Sequence, residues 1–533
     1  MTTRHLGFSV ALTLAVACAL PPSNDDWLKG GITPDDSHDA GDAGDTHDAS
    51  GADDAGGDGG GPQVCDPVVD ASCIDPNRGV FVRAGALAGD GSKNLPFGSI
   101  GAALLSRGDK TQIFVCAGTY AENVKVHNAQ VSIVGGLRCN DFTPGAEATV
   151  IAPAAGIPLD VQGASEVALV GLTARAADAT EPSGSSVALW VHEGAKVTAQ
   201  RSVLEAGKGA NGANADPAAQ GAAGGKGGDG TVGPGSVGTS ECGNVGGKGG
   251  KGANSSPAGM SSNGSPNPIA GQMAGLRGCA HSEGANASCY AGTGVKCTDG
   301  VDGVGGDAAL PAEASTVIGS VSASGWVPEA GSAGSLGEGG GGGGGGGQGS
   351  EELAHGGGGG GGGCGGLGGA GGGGGGASLA VLVHNASFSA MSTTLLAKSG
   401  GDGGNGGNGG KGGNGGGSGN RGADQDDNGV DVYGCAGGVG GGGGGGSGGQ
   451  GGPSGLSAGI AFDSASSVKW ENASLSATTP TLDGVTVGSP AQAGRPGEPG
   501  GGGGASNAAS KGKPAEPSPA GHVTAPVAAW TGP

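Results

Sequence analysis

Aromatic side chains are scarce in this chain: 7 Phe, 5 Trp and 3 Tyr make up 3% of its 533 residues. Sugars stack on aromatic faces, so most carbohydrate platforms are missing. Trp190 and Trp470 are the exceptions, and Trp190 sits in an apolar strand pattern that reads as core. Positive charge is scarce too. Lys and Arg number 25 against 47 Asp and Glu, a net charge of -22, which argues against nucleic-acid binding. The apolar run from Leu6 to Ala17 is too short to span a bilayer as a stable anchor. No CxxC pair occurs, which weakens a zinc reading of the cysteines. No GxxxxGK[ST] follows a strand, and GxGxxG matches are too frequent in so glycine-rich a chain to carry weight.

Glycine is what the chain has in excess, 134 residues of it. Apolar side chains concentrate in a few segments, so the core is one modest unit with large appendages. Four of those segments resemble one another. VALWVHEGAKVTAQRSVLEAG from Val187 returns as LAVLVHNASFSAMSTTLLAKSG from Leu379 and as AGIAFDSASSVKWENASLSA from Ala458, with a relative, IPLDVQGASEVALVGLTARA, from Ile157. They align on Val161, Val191, Val383 and Phe462, then on Val167, Val197, Phe388 and Val468, then near Ala174, Leu204, Leu396 and Leu475. Around each position apolar and small residues alternate, the period of a strand with one buried face. Each copy reads as two or three short strands in roughly 20–25 residues, too little to bury its own apolar face, so stacked copies in a solenoid are expected. The glycine tracts begin just past the third strand each time, at the corner where a stacked scaffold tolerates insertions. A chance likeness among Ala/Val/Ser-rich segments is the competing reading.

Taken in order, residues 1–18 form a lipoprotein signal peptide. Arg4 and His5 precede the apolar run, and Leu14-Ala15-Val16-Ala17-Cys18 resembles a lipobox, with Ala15 where Leu is commonest. Cys18 is then the lipidated residue, and the flanking Ala19 points by analogy to the outer membrane. Cleavage as an ordinary signal peptide is the alternative. Residues 19–63 carry eleven acidic residues between Asp25 and Asp58 and almost nothing apolar, an extended tether without the ligand set of an EF-hand. The folded part runs over 64–206, 377–399 and 456–489, interrupted by glycine-rich insertions at 207–376 and 400–455 and followed by a Pro/Gly-rich tail at 490–533. Ile100, Ala103 and Leu104 fall at helical spacing and predict one capping helix. The insertions are a flexible coil by default, since Gly is the costliest residue to order. Gly-Gly-Asn and Gly-Gly-Lys triplets also fit extended helices of three residues per turn that pack side by side. In composition the tracts resemble mycobacterial PGRS-type domains.

Gly91-Ser92, Pro96-Phe97, Ile100, Ala103, Ile113-Phe114-Val115, Gly118-Thr119-Tyr120-Ala121-Glu122 and Ile133-Val134-Gly135-Gly136 resemble the start of pectin-lyase-like proteins, in their uncharacterised secreted branch. The likeness covers residues 79–206 well and the later segments loosely. It implies a right-handed parallel β-helix, so the expected fold is all-β, a parallel β-helix with a short N-terminal capping helix and long glycine-rich insertions that are either flexible coil or polyglycine-II-like. Relatives with this fold include polysaccharide lyases, hydrolases and esterases, whose chemistry needs close carboxylates plus a base or cation. In the repeats the charged candidates are Asp160, Glu166, Arg175, Glu193, Lys196 and Arg201, and they match neither the paired-Asp nor the Gly-His-Gly signature of the pectin-degrading families. His127, His192 and His384 fall at equivalent places and read as a corner stack before a metal site.

With Cys18 lipidated, ten of the eleven cysteines remain, an even number suited to disulfides in an exported protein. Cys65 and Cys73 are placed to close a small loop, and Cys116 and Cys139 to stack one repeat apart. Cys242, Cys279, Cys289 and Cys297 cluster in the first insertion, and Cys364 and Cys435 are placed to tie the two tracts together. The expectation is a non-catalytic lipoprotein of the outer membrane or cell surface, with a structural, matrix or adhesive role and no cofactor or metal. Its expected partners are the membrane, through the lipid anchor, and extracellular polysaccharide or matrix. Two alternative functions stand beside it, an extracellular β-helix protein that binds or degrades polysaccharide as a lyase or hydrolase, and a disordered glycine-rich spacer with a vestigial folded segment. The alternative location is periplasmic or secreted.

Overall fold

The computed structural model describes residues 64–87, 89–249, 264–265, 297–313, 317–347, 354–425, 429, 431–471, 474–477 and 530–531. The chain divides into two compact units, Met1–Asp58 and Gly59–Pro533. The first lies wholly outside the described residues, as do Cys18, the tether, Cys279, Cys289 and nearly all of the tail. All the elements below belong to the second unit.

The first strands are β1 (Gly79–Val82), β2 (Gln112–Cys116), β3 (Gly118–Tyr120), β4 (Val124–His127), β5 (Gln130–Leu137) and β6 (Thr149–Ile151). Then come β7 (Leu159–Gln162), β8 (Glu166–Val170), β9 (Leu172–Arg175), β10 (Ser186–His192), β11 (Lys196–Gln200) and β12 (Val203–Glu205). After the first glycine tract begins, the strands are β13 (Gly319–Ser322), β14 (Gly325–Pro328), β15 (Ser378–His384), β16 (Ser387–Met391) and β17 (Thr394–Ala397). The last are β18 (Ala423–Gln425), β19 (Asp431–Tyr433), β20 (Ser457–Phe462), β21 (Ser467–Glu471), β22 (Ser474–Ala477) and β23 (Trp530–Thr531). One α-helix, α1 (Ile100–Ser106), and one 3-10 turn complete the described elements. Ser99 caps α1 by accepting from the Ala102 N–H at 3.1 Å, and the Glu122 carboxylate accepts from the Ile100 and Gly101 N–H groups at 2.8 and 2.9 Å.

From β4 onward, β13, β14, β18 and β19 apart, the strands fall in turn to three parallel sheets. The seven-stranded sheet runs β1-β2-β5-β8-β11-β16-β21. The two six-stranded sheets run β23-β20-β15-β10-β7-β4 and β22-β17-β12-β9-β6-β3. Equivalent residues pair across strands: Val191 with Val161 on one side and Val383 on the other, and Val197 with Val167 and Phe388. In the third column Leu204 pairs with Leu395, not Leu396. The side chains of these columns meet in one apolar cluster in which Ile133, Leu169, Leu189 and Val383 are fully buried. Burial of such a residue contributes about 1.5–3 kcal/mol.

The expected all-β right-handed parallel β-helix with glycine-rich insertions is therefore corrected. The chain forms mostly parallel sheets with few helices, and its glycine-rich segments are not strandless appendages. They contain two antiparallel sheets, β13 with β14 and β18 with β19. The first of these hairpins packs Trp326 and Ile318 against Val187, Leu379 and Leu382 on the outer side of a parallel sheet, so it belongs to the core it was expected to hang from.

The described parts of the glycine segments are joined by backbone hydrogen bonds. The pairing of β12 with β17 continues past the strand ends without a slip: Ala206 N donates to Leu396 O, Gly209 N to Ser399 O, Gly212 N to Asp402 O, and so on every third residue to Gly230 N and Asn420 O. The same holds upstream of β15 and β20, where Ser378 N donates to Leu456 O, Gly375 N to Pro453 O and Gly372 N to Gln450 O. The period has changed from two to three, the repeat of an extended threefold helix whose backbone groups point sideways. The segment around residues 356–376 bonds to neighbours at 210–228, 331–346, 401–419 and 435–453. Gly is required here by close approach. A Cβ on Gly413 would sit 1.9 Å from Ala222 O.

Candidate functional site

Two places gather polar and ionisable side chains, one in an open groove and one largely buried. The first is a groove of about 410 Å³ on the outer face of the seven-stranded sheet. Two columns of side chains line it. Glu166, Lys196, Ser387 and Ser467 form one, and Ala168, Thr198, Ser389 and Lys469 the other, each member facing the next across paired parallel strands. Parallel strands space such columns by about 4.8 Å. Thr198 and Ser389 share a hydroxyl hydrogen bond of 2.9 Å. Val64 closes one side. The groove is open to water and carries two ammonium groups, one carboxylate and a row of hydroxyls, all of them hydrogen-bonding groups.

The second place is the outer face of the sheet containing β10. His192 Nε2 lies 2.9 Å from Asp160 Oδ1, with the two residues only 5% and 9% exposed. The ring of Trp190 stacks on His192 at 3.8 Å. Trp190, expected in the core, thus faces outward and is half-buried by this stack and by the β13–β14 hairpin. His192 and His384 pair in register, while His127 lies beyond β7, opposite Gln162. His384 Nδ1 stands 2.6 Å from Asp463 Oδ2. Burial alone would raise the Asp463 carboxyl, but the Ser466 hydroxyl, the Asn385 N–H and His384 together hold it below its ordinary value. Among the described residues no three His, Cys, Asp or Glu side chains converge to hold a metal ion.

The other charged candidates are dispersed. Arg175 pairs with Glu205 at 2.8 Å. Arg201 pairs with Asp66 of the N-terminal loop. Glu193 occupies a left-handed corner at φ 57°. Only Glu166 and Lys196 of that set stand side by side in the groove. Sequence reasoning does not single out Thr198, Ser389, Ser467 or Lys469, since polar residues in an alternating strand read as plain solvent-facing positions.

The cysteines pair as Cys65–Cys73, Cys116–Cys139, Cys242–Cys364 and Cys297–Cys435. Cys364 and Cys435 do not join each other. Each reaches instead a cysteine of the first insertion, because the segments that neighbour them come from there. Disulfides of this number fit an oxidising compartment. Among the described residues no helix is long and apolar enough to cross a membrane. No family model matches the chain, and no curated protein or solved structure matches it.

Proposed function

We propose that the chain is an exported, non-catalytic structural protein of the cell exterior, in which the parallel sheets are the base and the glycine-rich body is a stiff spacer or adhesive element. One observation carries this reading: strand register runs unbroken from Ala206 and Leu396 into some two dozen residues of hydrogen-bonded glycine segment. A chain needs such order to transmit or resist force, and an enzyme gains nothing from it at a distance from its site. Attachment through a lipidated Cys18 completes the proposal. Palmitate labelling of wild type and Cys18→Ser tests the anchor, and a variant that still labels rejects it. Incubation of the folded protein with a panel of polysaccharides tests the rest. No released oligosaccharide is expected, and any released product overturns the non-catalytic reading.

A second reading is favoured by the groove. Its hydroxyl row and the ammonium groups of Lys196 and Lys469 suit an extended polysaccharide bound without cleavage. Calorimetry with acidic and neutral polysaccharides, wild type against Lys196→Ala/Lys469→Ala, decides it. Equal heats for both proteins, or none, reject it.

A further inference from the structure

The glycine-rich body and the parallel sheets are held together by different means. In the sheets, apolar side chains such as Ile113, Val131, Leu159 and Leu204 fill a continuous core. Among the described residues of the glycine segments the buried residues are mostly Gly. Apart from Ile318 and Trp326 of the β13–β14 hairpin, which pack on a parallel sheet, the buried apolar side chains, such as Ala309 and Val432, are isolated. Their order rests on backbone hydrogen bonds between segments far apart in sequence. Glycine loses more freedom on ordering than any other residue, so hydrogen bonds alone offset that loss poorly.

The disulfides divide in the same way. Cys65–Cys73 and Cys116–Cys139 span 8 and 23 residues and belong to the sheets. Cys242–Cys364 and Cys297–Cys435 span 122 and 138 residues, and all four cysteines lie in the glycine-rich body. Cross-links that close long loops remove the most freedom from the disordered state. None of these four cysteines lies in an apolar cluster of the described residues.

We propose that oxidation of Cys242–Cys364 and Cys297–Cys435 is the switch that orders the glycine-rich body, while the parallel sheets fold without it. The inference goes beyond the structural role argued above and does not depend on it. The chain crosses to the oxidising side with its glycine segments loose and stiffens there. The reverse step is balanced by a small dithiol. Its thiolate attacks Cys242, which is exposed, forming a mixed disulfide and releasing the Cys364 thiolate, which takes up a proton. The second thiol then closes the reductant to its own disulfide and frees Cys242 as a thiol. Two electrons pass from reductant to protein. Cys297 and Cys435 are 5% and 9% exposed and are reduced second, after the first bond has let the segments open.

Amide hydrogen exchange on the full chain tests the switch. The variants are Cys242→Ser/Cys364→Ser, Cys297→Ser/Cys435→Ser, the quadruple variant, and Cys116→Ser/Cys139→Ser as contrast. In the quadruple variant, amides over residues 209–230, 357–377, 401–422 and 437–455 are expected to exchange at least ~100-fold faster than in wild type, while those over 159–205 stay within about threefold. The contrast variant is expected to leave the glycine segments protected. The wild-type protein titrated with a dithiol provides a second measurement on a chain that has already folded. Glycine segments that keep their protection after both bonds are reduced overturn the proposal. So does simultaneous loss of protection in sheets and glycine segments, which would make them one cooperative unit.

Discussion

Single residues set the corners between sheets, and they do so with left-handed backbone. Asn128, Glu193 and Asn385 hold φ of 50°, 57° and 47° after the strands of one sheet, and Arg201 and Ser392 hold 45° and 48° after those of another. Gly163 and Gly171 serve the same corners in the intervening copy, at φ 68° and 63°. For L-residues other than Gly, Asn and Asp this conformation costs roughly 1–2 kcal/mol. Ser392 is exposed, so its side chain gains little from burial in exchange. Ser392→Gly is therefore expected to stabilise the sheets by about 0.5–1 kcal/mol, read as a raised thermal midpoint by circular dichroism. A lowered midpoint would show that the hydroxyl is needed there.

Buried hydroxyls do the complementary work. Thr393 donates to Ala199 O and Met391 O, both at 3.0 Å, and so joins two strands at one corner. Asp463 does the same with charge. Its lowered titration means that the folded state prefers the carboxylate. The sign follows: this stabilisation is present above the ordinary value of 3.8 and is lost as pH falls through the lowered one. Asp463→Asn is expected to be less stable than wild type near neutral pH, with the gap closing well below pH 3.8. A gap that stays constant down to that range would mean that packing, not ionisation, is what Asp463 supplies.

At the scale of elements, two periods compete for the same backbone. Alternation makes strands where side chains can be buried, and those positions are legible in the sequence: Val161, Val191, Val383 and their partners repeat at period two because each faces the core. The adjacent pair Leu395-Leu396 carries no phase, so the sequence alignment places the third column one residue off. Trp190 reads as core from its neighbours because a strand pattern does not tell which face a distant hairpin covers. The glycine tracts conceal their neighbours altogether, since residues without side chains name no partner. One signal does survive in them. Asn211, Asn214 and Asp229 each accept, through the side chain, from the backbone N–H of Asp402, Asn405 or Asn420, at 2.9, 2.7 and 2.8 Å. Recurrent Asn and Asp in these triplets are bridges between segments.

The same packing makes glycines unequal. Gly413 has the Ala222 carbonyl against the place a Cβ would occupy, whereas Gly417 has only Lys226 Cγ at 3.7 Å. Gly413→Ala is expected to push the segments apart and to speed exchange in them by an order of magnitude or more. Gly417→Ala is expected to be neutral or to stabilise by about 0.4–1 kcal/mol through the reduced freedom of the disordered chain. Equal behaviour of the two variants would contradict the close packing.

For the whole molecule the decisive fact is continuity. Outgoing segments 207–230 and 399–422 extend β12 and β17, and returning segments 356–377 and 434–456 lead into β15 and β20, so the register chosen in the core dictates the register of the glycine-rich body. A backbone with a period of three tolerates length changes only in multiples of three. Removal of residues 412–414 draws the remainder of that segment back by one full turn, about 9 Å, and its N–H groups still face the same neighbours. Removal of residues 412–413 alone rotates the later N–H groups of Gly416, Gly419 and Gly422 away from their acceptors Gly361, Gly358 and His355, and turns the later carbonyls from the N–H groups of the 207–230 and 434–456 segments that donate to them. The three-residue deletion is therefore expected to keep most of the wild-type protection against exchange and proteolysis, and the two-residue deletion to lose it from residue 411 to the far end of the segment. Equal losses in the two would mean that the glycine segments pack without a fixed screw repeat, and the inheritance of register from the sheets would fail with it.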